Sequence, residues 1–275
     1  MNLVVQGADV DSVALKQLAR LTGSSDIRQI VPNAFRLLGA SPVPEVAALC
    51  AEAHLDHAWI EAGRRLSDFG LFVTDMDSTL INIECIDEIA DMQGLKADVA
   101  AITEASMRGE IDFGESLTRR VALLAGLDER ALEEVYAHRL MLNPGAEKLL
   151  RTLRQQGIYT VLVSGGFTYF TDRLRTRLGF DETWANALEV IDGRLTGRIT
   201  GDMVDAAAKA RHLRAIRDRL GLRPDQVIAA GDGANDIPML SEAFGVAYHA
   251  KPVLRAVARC CLDHSGLDGI LNLFE

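Results

Sequence analysis

The segment Leu71–Leu80, LFVTDMDSTL, places two carboxylates two residues apart at the end of an apolar, β-prone run. Side chains at i and i+2 of an extended segment point the same way, so Asp75 and Asp77 can face one site. On its own, such a pair is also what an acidic turn offers. Two later stretches, Val161–Ser164 and Val227–Asp232, repeat the arrangement of an apolar run ending in polar residues. The repetition points to several strands of one parallel sheet delivering groups to a single carboxyl edge.

The chemistry these groups suit is cleavage of a phosphate ester, which needs a crowded anion stabilised and a leaving oxygen activated. Mg²⁺ prefers an octahedral shell of oxygens. Asp75, Asp232 and Asp236 can supply them, with the carbonyl of Asp77 and water completing the shell. Asp75 can also attack phosphorus to form an aspartyl phosphate. Asp77 can then protonate the departing alkoxide and later deprotonate the hydrolytic water.

Ser164-Gly165-Gly166, expected in the loop after the second strand, offers phosphate a hydroxyl and backbone donors, and its glycines permit close approach. An ordinary turn is the plain alternative. Lys209 can neutralise phosphate and orient Asp75, or simply occupy a helix surface. In GDGAND, Gly231–Asp236, a tight turn can aim Asp232 and Asp236 at a metal while Asn235 organises the loop or the phosphate. Each segment alone has a metal-free structural reading, but one site accounts for all four. Ser164 as a serine-hydrolase nucleophile lacks a His–acid arrangement. His249 and His264 lack metal-ligand spacing.

The elements that must position these groups follow from the pattern. Ala146–Gln155 reads as a helix, Ile158–Val163 as a strand and Tyr169–Leu178 as a helix. Trp184–Ile191 and Arg194–Ile199 read as a hairpin turning at Asp192-Gly193. Helix Ala206–Leu220 precedes strand Gln226–Ala230, and helix Ile237–Glu242, strand Phe244–Ala247 and helix Val253–Ala258 follow. This alternation predicts a three-layer α/β domain. Between the nucleophile strand and Pro144-Gly145, strand signals are few. Three helical stretches, around Ile86–Leu95, Phe113–Leu124 and Ala131–Leu140, predict an inserted cap over about residues 82–142. Gly109 and Gly126 interrupt it. Residues 1–66 read as βαββαβ, with strands at 2–6, 27–30, 34–38 and 57–60 and helices at 11–22 and 42–53, leaving 67–275 for the main domain.

Composition bounds the rest. A 48% hydrophobic content supports a real core, and a net charge of −10 disfavours a general nucleic-acid surface. Cys50, Cys85, Cys260 and Cys261 show no paired metal spacing, which favours a reducing interior. With neither a basic leader before an apolar block nor a membrane-spanning run, the expectation is a cytoplasmic enzyme of small molecules with no nucleic-acid or membrane partner.

DMDST at Asp75–Thr79, SGG at Ser164–Gly166, Lys209, and GDGAND at Gly231–Asp236 resemble the ordered motifs of haloacid-dehalogenase-like phosphatases, over about residues 70–270. The resemblance implies a three-layer Rossmann-like core with a helical cap inserted after the first core strand. It implies Asp75 as nucleophile, Asp77 as general acid and base, Ser164 and Lys209 as phosphate stabilisers, and Mg²⁺ at Asp75, Asp77, Asp232 and Asp236. Met76 stands where many relatives have Phe, a hydrophobic replacement. Within the superfamily the similarity is to members that hydrolyse O-phospho-L-serine, the final step of L-serine biosynthesis. It implies that Glu84, in NIECIDEIA, reads the substrate ammonium and that Arg120, in FGESLTRRV, pairs with its carboxylate. Met107 and Phe113 would cover the substrate beneath a cap that opens and closes. The remaining readings are phosphoryl transfer to another small alcohol such as homoserine, a broader small-molecule phosphatase, and a non-catalytic amino-acid sensor. By topology alone the first 66 residues resemble ACT-type regulatory modules, for which effector binding, a structural role and a homodimer contact all stay open.

Overall fold

Asp11 starts the first helix, its carboxylate accepting from the Val13 and Ala14 amides at 3.1 and 3.2 Å. The chain begins β1 (Asn2–Gln6), α1 (Ser12–Thr22), β2 (Asp26–Val31), β3 (Ala34–Leu38), α2 (Glu45–Glu52) and β4 (Asp56–Ile60). In this computed structural model every residue is described except Gly109 and the side chain of Met107. The four strands form an antiparallel sheet in the order β2-β3-β1-β4. Helix α2 starts at Glu45 instead of Pro42, because the residue before Pro44 is steered away from helical geometry.

All of β1 is buried because both of its faces are covered. Leu3 and Val5 pack with Leu15, Leu18 and Cys50, while Val4 turns the other way into the larger core of the molecule. Polar side chains on that second face grip the C-terminal end of the chain. Gln6 Nε2 donates to the Gly269 carbonyl at 3.1 Å, and Arg36 pairs with Glu275 at 3.3 Å. Asp56 Oδ1 accepts from the amides of Asp263 and His264 at 2.7 and 3.0 Å.

The main sheet is assembled from β5 (Leu71–Thr74), β6 (Tyr159–Phe167), β7 (Glu182–Ile191), β8 (Arg194–Thr200), β9 (Val227–Gly231), β10 (Phe244–Tyr248) and β11 (Cys260–Leu262). Its order is β11-β10-β9-β5-β6-β7-β8, parallel except for the β7–β8 hairpin. Strand β5 is therefore central, flanked by the two other strands that end in candidate site residues. Alternation along these strands builds three layers. Leu71, Val73, Val161, Val163, Val227 and Ala229 face Leu213, Ile216, Leu240 and Leu254, from helices α9 (Ala206–Arg219), α10 (Ile237–Leu240) and α11 (Pro252–Arg255). Phe72, Leu162 and Ile228 face Leu149, Leu153, Phe170 and Leu174, from α7 (Ala146–Gln155) and α8 (Thr168–Leu178). Each buried Leu or Ile contributes roughly 1.5–3 kcal/mol relative to exposure.

Helices α3 (Cys85–Asp91), α4 (Lys96–Met107), α5 (Phe113–Ala122) and α6 (Arg130–His138) lie between β5 and α7. Three helical stretches are expected there from sequence, and α4 is the addition. Its residues KADVAAITEASM lack a continuous apolar face, and fully buried Val99 stands between exposed neighbours. The two crossings into this insertion are zipped together. Ile81 bridges Leu142, Asn82 N donates to Met141 O at 3.0 Å, and Asn143 Nδ2 donates to Thr79 O and Ile81 O at 2.8 and 3.1 Å.

Near the C-terminus, β11 and α12 (Gly269–Asn272) are also additions to the sequence reading, and helix α11 is shorter than Val253–Ala258. No helix of the described residues is long and apolar enough to cross a membrane.

Candidate active site

The carboxyl ends of β5, β6 and β9 bring the motif residues together. The Asp75 amide extends the sheet by donating to Ala230 O at 3.0 Å, which seats Asp75 directly beside the Gly231–Asp236 turn. Asp75, Asp232 and Asp236 are all buried, and each offers a ligand oxygen within 4.8 Å of the others. Lys209, only 1% exposed, reaches in from α9 and places Nζ 2.7 Å from Asp75 Oδ1 and 2.8 Å from Asp236 Oδ1. Its sequence alternative, a solvated helix surface, is excluded by that burial. The other Asp236 oxygen accepts from the amides of Asp232 and Gly233, both at 3.1 Å. Gly231 has to be glycine, because a Cβ there would lie 2.5 Å from Asp236 Oδ2.

One ammonium cannot neutralise three buried carboxylates. Burial first, and then Asp236, push Asp75 well above the ordinary carboxylate range, with Lys209 opposing. Burial and Asp236 likewise push Asp232 up to about 6. On Lys209 the lowering effect of burial is outweighed by Asp236 and Asp75, so its ammonium is held more firmly than usual. An excess of oxygen donors and negative charge in a closed cluster fits a hard divalent cation, and Mg²⁺ is the ion this donor set suits.

Asp77, two residues on from Asp75, is held by the start of α3 and by the Ser164–Gly166 segment. Its Oδ1 accepts from the Cys85 amide at 3.1 Å, and its Oδ2 lies over Gly166, where an added Cβ would come within 2.5 Å. Burial first, and then Glu84, raise Asp77 to about 7. The Ser164 hydroxyl is fully buried and accepts from the Gly166 amide at 2.8 Å. Here the structure departs from the expected strand-then-loop arrangement. Strand β6 continues through Ser164-Gly165-Gly166 to Phe167, because pairing with β7 resumes at Phe167–Asn186 after an irregularity.

The proposed substrate-end residues converge less tightly. Glu84, at the start of α3, accepts from Ser78 Oγ at 2.7 Å. Arg120 is half-buried in α5; burial lowers its pKa, while Asp87, Glu84 and Asp77 oppose, which places its guanidinium in the field of those carboxylates. The Phe113 ring edge lies against Gly165, 3.2 Å from where a Cβ would sit. Asn235 folds its carboxamide oxygen back toward Gly233. Met107 ends α4, and its side chain lies outside the described residues.

Several contributors carry no role in the sequence reading. Thr79 Oγ1 donates to Asp232 Oδ1 at 3.1 Å, tying the β5 turn to the β9 turn. Ser78 adopts φ +56°, an uncommon conformation for a residue with a side chain. Asn143 and Asn186 are distant in sequence, and their partners are mostly backbone carbonyls and amides, which leave no sequence trace.

Comparison with known proteins agrees with this geometry. Residues 72–241 match the haloacid dehalogenase-like hydrolase family, and residues 3–46 match a domain of unknown function, DUF4072. The chain belongs to the haloacid dehalogenase-like hydrolases. Within that class it is closely related to phosphoserine phosphatases. The phosphoserine phosphatase of Polaromonas sp. is 55% identical over 217 residues, covering 77% of this chain and 92% of the relative. A HAD family hydrolase from Salmonella enterica serovar Typhi superposes with a TM-score of 0.90 at 31% identity, covering 100% of this chain and 98% of that one. A phosphoserine phosphatase solved as a phospho-aspartyl intermediate analogue gives 0.70 at 37% identity, covering 75% and 99% of the two chains.

Proposed function

We propose that the protein is an Mg²⁺-dependent phosphatase that hydrolyses O-phospho-L-serine to L-serine and phosphate. The observation that carries this reading is Lys209 bridging Asp75 and Asp236 beside Asp77 and Ser164, within a chain this similar to phosphoserine phosphatases. Asp75, Asp232 and Asp236, with the Asp77 carbonyl, would hold Mg²⁺, which when bound would offer positive charge to the phosphoryl oxygens.

In this reading the Asp75 carboxylate attacks phosphorus as the ester P–O bond breaks, and Asp77 gives its proton to the departing seryl oxygen. Asp77, now ionised, takes a proton from water. That water attacks the acyl phosphate, releasing inorganic phosphate and regenerating Asp75. A carboxyl poised at about 7 can serve both steps near neutral pH. Lys209, the Ser164 hydroxyl and the Gly165 and Gly166 backbone hold the phosphoryl group, with Asn235 shaping the facing turn. Glu84 and Arg120 clamp the ammonium and carboxylate of the amino acid, and Phe113 and Met107 cover it.

The same proposal places the enzyme in the cytoplasm at the last step of L-serine formation, without a nucleic-acid partner. Its net charge of −10 and four free thiols support that placement. The proposed division is a small module at 1–66, with a homodimer contact among its possible uses, a phosphatase unit at 67–275, and a mobile cap at about 82–142. The test compares phosphate release from O-phospho-L-serine, phosphothreonine and phosphoethanolamine with Mg²⁺ present. Preference for phosphoserine over phosphoethanolamine, lost in Arg120→Ala, is the expected result. Equal rates on both esters would contradict the clamp, and a phosphorylated product formed with added homoserine would indicate transfer.

A further inference from the structure

Asn186 on β7 is completely buried, in a position where a carboxamide is expensive unless both of its ends are paired. Both are. Its Nδ2 donates to the Gly165 carbonyl at 2.8 Å, and its Oδ1 accepts from the Val204 amide at 2.8 Å. These partners fix the amide orientation, because a carbonyl cannot donate and a backbone N–H cannot accept.

Gly165 is the middle of the Ser164-Gly165-Gly166 segment. A trans peptide is planar, with its C=O and N–H pointing oppositely. Holding the Gly165 oxygen toward Asn186 therefore turns the Gly166 N–H away, toward Ser164, whose Oγ accepts it at 2.8 Å. With that lone pair occupied, the Ser164 proton is left to point elsewhere. On the other side, Val204 immediately precedes Asp205, whose carboxylate caps α9 by accepting from Ala208 N at 2.7 Å. One turn into that helix stands Lys209, whose amide donates to Asp205 O at 2.9 Å. Close packing reinforces the link, since a Cβ on Gly165 would lie 3.6 Å from Val204 O.

We infer that Asn186 is a positioning residue that clamps the Ser164–Gly166 phosphate cradle to the start of the Lys209 helix, setting the spacing between the hydroxyl and ammonium that receive the phosphoryl group. The inference rests on the phosphatase reading only in taking that group to be phosphoryl. Among the described residues the Asn186 side chain hydrogen-bonds to Gly165 and Val204 and to neither Glu84 nor Arg120, so its influence falls on phosphate and spares the amino-acid end.

The test uses the full-length enzyme and two variants. Asn186→Leu removes both bonds at similar volume, and Asn186→Asp keeps the acceptor for Val204 while losing the donor to Gly165. A misplacement of about 1 Å costs on the order of 10²-fold in rate, so kcat should fall by about that factor in both. Inhibition by orthophosphate should weaken in parallel, with product inhibition by L-serine changed less than about twofold; a general loosening of the fold would move both inhibitors together. Folded variants with kcat and phosphate inhibition within about twofold of the parent would overturn the inference. If neither variant folds, NMR of the parent decides. The Asn186 side-chain amide resonances should shift on addition of orthophosphate with Mg²⁺, and unmoved resonances at saturation would overturn it. An inactive parent would instead overturn the phosphatase reading.

Discussion

Lys209 Nζ lies 2.7 Å from Asp75 Oδ1 in a site from which solvent is almost fully excluded. The same ammonium holds Asp236 at 2.8 Å, so one cation stands between the proposed nucleophile and a metal ligand. Removing one partner of a buried ion pair typically costs about 3–5 kcal/mol, because the remaining charge is stranded. Lys209→Met should therefore abolish turnover and destabilise the metal-free protein by roughly that amount at pH 7.5. Urea unfolding with and without Mg²⁺ checks this. Saturating Mg²⁺ should recover part of the stability and none of the activity; unchanged metal-free stability would mean that the pair carries no load.

The carboxylate cluster predicts a pH dependence with a definite sign. Asp232 is raised from 3.8 to about 6 in the folded, metal-free protein, and Asp75 is raised as well. Groups that bind protons more tightly when folded stabilise the fold below their unfolded pKa. That contribution is lost as pH rises through the folded values. Metal-free stability should accordingly fall between about pH 4 and pH 6. The increment from Mg²⁺ should grow over the same window, reaching ~2.7 kcal/mol at a hundredfold excess over Kd. Thermal melts across pH, with chelator or Mg²⁺, measure both; a flat metal-free profile would contradict the assignment of burial as the cause.

The two glycines of the proposed phosphate cradle should respond differently to a methyl group. At Gly166 a Cβ would sit 2.5 Å from Asp77 Oδ2 and 2.8 Å from Met76 Cε, so the proposed acid must move. At Gly165 the nearest atom is the Phe113 ring edge at 3.2 Å, which can yield by a small rotation. Gly166→Ala should cost on the order of 10²-fold in kcat, and Gly165→Ala should act mainly on KM. Steady-state kinetics of both variants decide the matter, and equal effects on kcat would show that Asp77 is not held against Gly166.

The gathering of the candidate site residues at one sheet edge was legible in the sequence because they lie at or near strand ends in short contiguous motifs. Asp75 and Asp77 follow β5, Asp232 and Asp236 follow β9, and Ser164 lies in the last part of β6; these three strands are neighbours in the sheet, and the apolar runs before the residues signalled them. Lys209 was legible only through resemblance and its place among the motifs, since a lysine in a helix carries no sign of burial. Helix α4 escaped because its apolar residues make no continuous stripe. The apolar run of β6 stops at Val163, while the pairing that carries the strand onward depends on Asn186, a polar residue on a neighbouring strand. Asn143 and Asn186 bind backbone atoms distant in sequence, so no spacing announces them.

The most direct test of the account is where the phosphoryl group goes. The enzyme is mixed with ³²P-labelled O-phospho-L-serine and Mg²⁺, quenched in acid within a turnover, and digested. The label should be acid-stable, sensitive to hydroxylamine as an acyl phosphate is, and confined to the peptide carrying Asp75; Asp75→Asn should show no label and a loss of turnover on the order of 10⁴-fold or more. Label on Ser164, or full turnover in Asp75→Asn, would contradict the account at its centre.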